Sequence, residues 1–291
     1  MHMSELLQTV ETDAPTIERF PWEHIEINGE NFLVKQGITV PVQLHTREGT
    51  EIHEFSYAEY HHPETNIQIG VWSLGLDRPK DLPAIVRADY GCPCMTFGSH
   101  FTLPGHDCAK QRELAFETIA QIGIGAIATV SEQTAAGNGH GSHAVMEQLD
   151  IQWEAMKSGA HVPSLQEAHS ELGYFDDKRR HDIVASVLAH SLDGRPAVDA
   201  TANKNKIQQH KDAGIRVLDD VRIDLITDQT QSMKDLLRRD GYHKSISATQ
   251  PGAYLVSSTL PPVLLTPETY RTHLLPQPLS HQPSRRPQLV N

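Results

Sequence analysis

The chain has 291 residues, of which 38% are hydrophobic, and a formal net charge of −12. That length supports one large domain or two small ones around a buried core, and that hydrophobic content suits a folded chain rather than a disordered one. The charge excludes a global attraction for nucleic acid or anionic membranes, so an anionic ligand has to be held by a local basic site.

Residues 1–20 carry no strong periodicity and read as a loose arm. Their acidic start, MHMSELLQTVETDAP, lacks the apolar stretch of a signal peptide. No run of about 18 apolar residues occurs, so no helix is expected to cross a membrane, and a cytoplasmic location is the expectation. Residues 21–83 read as an extension leading into the core. Within them Ile67-Gln-Ile-Gly-Val-Trp-Ser-Leu alternates in part, as a half-buried strand does. The core spans residues 84–226 and opens on the short apolar run Ala84-Ile-Val. Ala115, Ile119 and Ile122 mark a helix over 109–122, and Ile124-Gly-Ala-Ile-Ala-Thr-Val130 reads as a buried strand. A glycine-rich loop, Ala136-Gly-Asn-Gly-His-Gly-Ser142, then leads into a helix. Val145, Leu149, Trp153 and Met156 form one face of it, Trp153 is expected in the core, and Gly159 ends it. Residues 178–192 carry Ile183, Val184, Val187, Leu188 and Ser191 on one helical face. Residues 203–213 read as a helix stopped by Gly214, followed by Ile215-Arg-Val-Leu as a strand. Such alternation indicates a mixed α/β or α+β core. Residues 227–269 form a C-terminal extension, and 270–291, with several Pro and Ser, an extended or disordered tail.

The chemistry-bearing residues concentrate after the first core strand. All three cysteines lie between 92 and 108, in Arg87-Ala-Asp-Tyr-Gly-Cys92-Pro-Cys94-Met-Thr-Phe-Gly-Ser-His100-Phe-Thr-Leu-Pro-Gly-His106-Asp-Cys108. Clustered thiols in a chain without a disulfide framework point to metal or catalysis. Thiolate and imidazole are the ligands zinc prefers, and three of them leave a fourth position for water. Cys92, His106 and Cys108 are the most economical set, with Cys94 and His100 as competitors. Reduced cysteines packed as small hydrophobes are the plain alternative.

From Val86 to about Leu225 the chain resembles GTP cyclohydrolase II. Arg87 and Cys92 keep the spacing of that family's entry motif, Phe97-Gly-Ser99 precedes His106-Asp-Cys108, and Gln111 follows three residues later. The most specific match is Glu167-Ala-His-Ser-Glu-Leu-Gly-Tyr174-Phe-Asp-Asp177-Lys-Arg179. Thr201-Ala-Asn203-Lys-Asn-Lys206 matches the family's phosphate segment in part, and Asp212-Ala-Gly-Ile-Arg-Val-Leu218 follows it. The resemblance implies the mixed α+β fold of that family as a single catalytic domain, a homodimer, and Zn2+ held by Cys92, His106 and Cys108. It implies Asp177 as general base, Arg179 at the α-phosphorus, Thr201 and Lys206 as phosphate or substrate contacts, and Arg87 and Gln111 lining the pocket. The reaction implied is hydrolytic opening of a nucleotide's base ring by zinc-activated water, with GTP or a related nucleotide as substrate.

The departures alter what is expected of the substrate. The family's Gln-Glu-Gly-Arg loop is absent, and its glutamate and arginine fall near His140 and Ser142. Gly91 replaces an acidic residue before the first cysteine, and Trp153 falls near a tyrosine of the family's chemistry. A site that hydrogen-bonds one base rejects analogues strongly, so changed groups suggest a changed base. A different nucleobase, a non-nucleotide phosphorylated substrate, and a non-catalytic nucleotide-binding relative therefore stay open. Each residue also has a plain role: Asp177 and Arg179 as a solvated pair at a helix start, Lys206 on an exposed face, Thr201 as a helix cap, Tyr174 as packing, and His140 and His143 as surface residues.

Overall fold

Short connections favour antiparallel pairing of neighbours in sequence, and residues 23–74 follow that rule. The computed structural model describes residues 21–46, 49–92, 107–131, 136–227, 251–258 and 262–274. Strands β1 (Glu23–Ile27), β2 (Glu30–Thr46), β3 (Gly49–His62) and β4 (Ile67–Leu74) form an antiparallel meander. Strands β5 (Ala84–Tyr90), β6 (Gly125–Val130) and β7 (Ala197–Asp199) complete a seven-stranded sheet in the order β1-β2-β3-β4-β6-β5-β7. β6 pairs antiparallel with β4 and parallel with β5, and β7 lies parallel on the other side of β5.

Among the described residues six α-helices connect and cover these strands: α1 (Cys108–Ile122), α2 (Ser142–Ser158), α3 (Leu165–Glu171), α4 (His181–Leu192), α5 (Lys204–Asp212) and α6 (Pro267–Leu274). A smaller antiparallel sheet, in the order β10-β9-β8, holds β8 (Val221–Ile226), β9 (Gly252–Ser257) and β10 (Val263–Leu264). The fold is mixed α+β. Parallel strands need crossovers that put helices on the sheet faces, and every residue of β5 and β7 is buried. Gly125 shows how closely α1 approaches: a Cβ there would sit 2.6 Å from the Ile85 carbonyl and 2.7 Å from Ile119 Cγ1. One hydrophobic core runs through all three regions, from Phe32, Phe55 and Ile69 through Ile85, Ile127 and Leu188 to Leu255 and Tyr270. No helix among the described residues is long and apolar enough to cross a membrane.

Several expected elements form as read, among them β4, α1, β6, α4 and α5, and Gly159 caps α2 in the left-handed region. Four readings need correction. Trp153 is 50% exposed and Met156 38% exposed, because the inner face of α2 is Ala144, Val145, Gln148 and Gln152. Gln152 spends its amide on the Pro163 carbonyl at 2.9 Å, which keeps that polar face inward. Ile215-Arg-Val-Leu makes a single parallel bridge, Ala197 to Val217, rather than a strand, since β7 beside it is only three residues long. α5 is capped not by Thr201 but by Asn203, whose side chain accepts from the N–H groups of Asn205 and Lys206. The tail reading from 270 fails at its start, because α6 continues to Leu274 and buries Tyr270 and Leu274 against the core. The expected arm, residues 1–20, and residues 275–291 lie outside the described residues.

Candidate functional site

In open sheets with parallel strands, ligands bind beyond the carboxyl ends of the strands, and the residues in question gather there. Side chains alternate across a strand. Arg87 and Asp89 therefore face α1, and Tyr90 faces α4 and α5. Arg87 is 9% exposed and donates to the Ala200 carbonyl and to Gln111 Oε1, each at 3.0 Å. Its Nε is buried without a partner among the described residues. Gln111 donates in turn to Asp107 Oδ1 at 3.1 Å, and Thr227 donates to the other oxygen of Asp107 at 2.6 Å. Asp89, 4% exposed, accepts from Arg112 Nε at 2.6 Å.

On the other face, Lys206 Nζ donates to the Ala88 carbonyl at 3.2 Å and lies 4.7 Å from the centre of the Tyr90 ring. Burial, with the Arg179 and Arg87 cations nearby, pulls its ammonium down to about 7. The default expectation of a solvent-exposed lysine does not hold. Arg179 stacks on the same ring at 4.8 Å and binds Asp177 through both its side chain and its backbone N–H. Burial would raise the Asp177 carboxyl, but hydrogen bonds from Arg179 and His181 outweigh it and hold the group well below the usual carboxylate range. Thr201 lies in the turn before α5 and accepts from the Asn203 N–H at 3.2 Å.

Cys92, just past β5, and Cys108, the first residue of α1, are reduced and hydrogen-bonded to each other. That bond, burial, and the charges of Cys92, Asp89 and Asp107 all push the Cys108 thiol up. A divalent cation reverses such a bias, because a coordinating thiol is deprotonated outright. Two soft donors facing each other thus suit two positions of a zinc site. His106, Cys94 and His100 lie outside the described residues, and among the described residues no three His, Cys, Asp or Glu side chains form a metal cluster.

The glycine-rich loop braces this site from behind. Residues Ala136–Gly139 form a 3-10 turn, and the Asn138 carbonyl accepts from the Lys178 N–H at 2.9 Å. Gly139 has φ +83°, and a Cβ there would lie 2.8 Å from the Lys178 carbonyl carbon, so glycine is needed for the loop to meet the Asp177–Arg179 segment. His140, with an 8% exposed side chain, donates to the Asp176 carbonyl at 2.8 Å and stacks on Tyr174. It is not a surface histidine, whereas His143 is 77% exposed. Tyr174 does more than pack: it donates to Glu147 at 2.7 Å. Glu167, which opens the longest motif, works as the N3 residue of a capping box with Ser164.

Sequence reasoning missed Tyr90, Asp89, Arg112 and His181. His181 Nδ1 meets Tyr90 Oη at 2.5 Å and its Nε2 meets Asp177 Oδ2 at 3.1 Å. The available signal was the spacing of Asp177 and His181 by four residues at a helix start. A cleft of about 280 Å³ adjoins the site, bounded by Gly91, Arg112, Thr129 and Ser131 and, across it, Tyr57 and Glu59.

Compared with known proteins, the chain is 30% identical over 145 residues to GTP cyclohydrolase-2 of Shewanella amazonensis (strain ATCC BAA-1098 / SB2B). The match covers 50% of this chain and 64% of that relative, so the chain spans less than two thirds of the length of the curated relative it matches. No family model matches the chain.

Proposed function

We propose that this protein is a zinc-dependent cyclohydrolase that opens the base ring of a nucleotide, GTP or a related one. One observation carries the reading: three cations, Arg87, Arg179 and Lys206, converge beside a reduced cysteine pair at the carboxyl edge of the parallel strands. In a chain of net charge −12, such a cluster suits an anionic ligand, and the thiols suit a soft divalent cation. The similarity to GTP cyclohydrolase-2 supports the reaction class.

Cys92 and Cys108, with His106, would hold zinc, which when bound supplies Lewis acidity and water ionised near neutral pH. Arg179, Lys206 and Thr201 bind and orient the phosphates, an effect that lowers the entropic part of the barrier. Arg87, held by Ala200 and Gln111, adds its positive charge to that edge. Asp177 accepts the proton released as water attacks the ring carbon and returns it to the leaving nitrogen.

The test is metal analysis of protein purified without added metal, beside incubation with GTP and other nucleotides followed by mass spectrometry. About one zinc per chain, lost in Cys108→Ala, and hydrolysis of a nucleotide are expected, with formate release identifying a purine imidazole ring. Absence of zinc together with retained GTP binding and no turnover would overturn the enzyme reading in favour of a nucleotide-binding protein.

A further inference from the structure

Asp177 and Arg179 both serve the proposed reaction, yet neither belongs to a regular element; both lie in the irregular segment before α4. Side chains there are costly to hold in one geometry. Four contacts form a closed cycle that holds them. Arg179 Nε donates to Asp177 Oδ1 at 2.8 Å. Asp177 Oδ2 meets His181 Nε2 at 3.1 Å, and His181 Nδ1 meets Tyr90 Oη at 2.5 Å. The Arg179 guanidinium, 4.8 Å from the centre of the Tyr90 ring, completes the cycle. Its two fixed members are Tyr90, 8% exposed on a wholly buried strand, and His181, the first residue of α4.

We propose that His181, anchored by Tyr90, is a positioning residue that keeps the Asp177 carboxylate in place when Arg179 leaves it for an anionic ligand. The inference rests on the reading above, in which Asp177 and Arg179 serve the site. A guanidinium presents a limited set of donors in one plane, so an arriving phosphate competes with Asp177 for them. Once Arg179 turns to the ligand, the bond to His181 is the side-chain tie left on Asp177 among the described residues. A carboxylate that loses a neighbouring cation binds protons better, so ligand binding makes Asp177 a stronger base while His181 keeps it aimed. The Tyr90 ring meanwhile attracts both Arg179 and Lys206, holding the two cations at one edge.

The test uses the full chain with its bound metal, GTP as assay substrate and inorganic triphosphate as binding probe. His181→Ala is expected to lower kcat by about 100-fold, the scale of a roughly 1 Å misplacement, with KM changed less than about threefold. His181→Gln, which keeps an amide donor for Asp177, is expected to recover about tenfold of that loss. Arg179→Met is expected instead to raise KM. Equal losses in the Ala and Gln variants, or a KM rise matching that of Arg179→Met, would overturn the positioning role.

Failure of wild-type protein to turn over any nucleotide would defeat the proposed reaction while leaving a second readout of the cycle. Proton NMR of 15N-histidine-labelled protein is expected to contain, beside the protected signals of the buried His210–Asp199 and His140–Asp176 contacts, an imidazole N–H signal of His181 protected from exchange. It should be absent in His181→Gln and Asp177→Asn, weakened in Tyr90→Phe, and retained when inorganic triphosphate is added. A signal indifferent to Asp177, or one abolished by triphosphate, would sink the proposal.

Discussion

Strands β5, β6 and β7 end in two unlike edges. At their amino ends Arg195, only 1% exposed, donates to four backbone carbonyls, those of Leu76, Arg78, Pro79 and Leu82. Tyr270 from α6 donates to the Pro83 carbonyl in the same region. At their carboxyl ends Arg87 leaves its Nε without a partner among the described residues, Lys206 is held near neutrality, and the Cys108 thiol is pushed up. Both edges bury cations. One saturates them with protein acceptors, which is how buried polar groups favour stability. The other leaves polar capacity unspent among the described residues, which costs stability and suits a ligand.

The strongest way to break this contrast is Arg195→Met. Four carbonyls would lose the donor they share, in part-buried hydrogen bonds, and the expected loss is on the order of 3 kcal/mol in urea unfolding. Where the variant remains folded, its affinity for inorganic triphosphate should match wild type; a parallel loss of binding would mean the two edges are not separable. At the opposite edge, Lys206→Met should weaken triphosphate binding at pH 6 by about tenfold or more, the scale of one charge-assisted hydrogen bond. Its unfolding free energy should stay the same or rise, because a lysine that burial disfavours has been removed. A clear drop in stability would make Lys206 structural.

The pH dependence sharpens the comparison further. Lys206 sits at about 7 in the fold against an ordinary 10.5, so between those values the unfolded chain binds more protons. The Lys206 contribution to stability therefore rises as pH rises through that window. Ligand binding runs the other way, because an anion prefers the ammonium form. Above pH 7 triphosphate affinity should fall by up to about tenfold per pH unit, with proton uptake visible by calorimetry in buffers of different ionisation enthalpy. An affinity independent of pH between 6 and 9 would remove Lys206 from the binding site. Asp177, also held low in the fold, gives the same sign in the acid range: its stabilisation is present at neutral pH and lost as pH falls through its folded value. Because its side chain is 37% exposed, Asp177→Asn should cost less than about 1 kcal/mol. The smallest effect is expected away from both edges, where Trp153→Ser should change stability by less than about 0.5 kcal/mol. A larger loss would mean the outer face of α2 is covered.

Much of this was legible in the sequence because it is local. The period of Val184, Val187 and Leu188 marks α4, the apolar run 124–130 marks β6, and Gly159 ends α2, since periodicity and capping depend on a few neighbouring residues. The grouping of Arg87, Gln111, Asp177, Arg179 and Lys206 was legible only through resemblance, because nothing in their spacing brings residues so distant together. Tertiary structure alone decided the rest. It rotated Trp153 outward by giving the inner face of α2 to Gln148 and Gln152. It joined residues 23–74 and 84–90 into one sheet, and it used Arg195 as a clamp where the sequence offers only an isolated charge. It also set His181 against Tyr90, 91 positions away. A hydrogen bond across that distance depends on how β5, α4 and their connections pack, and no local pattern encodes that packing.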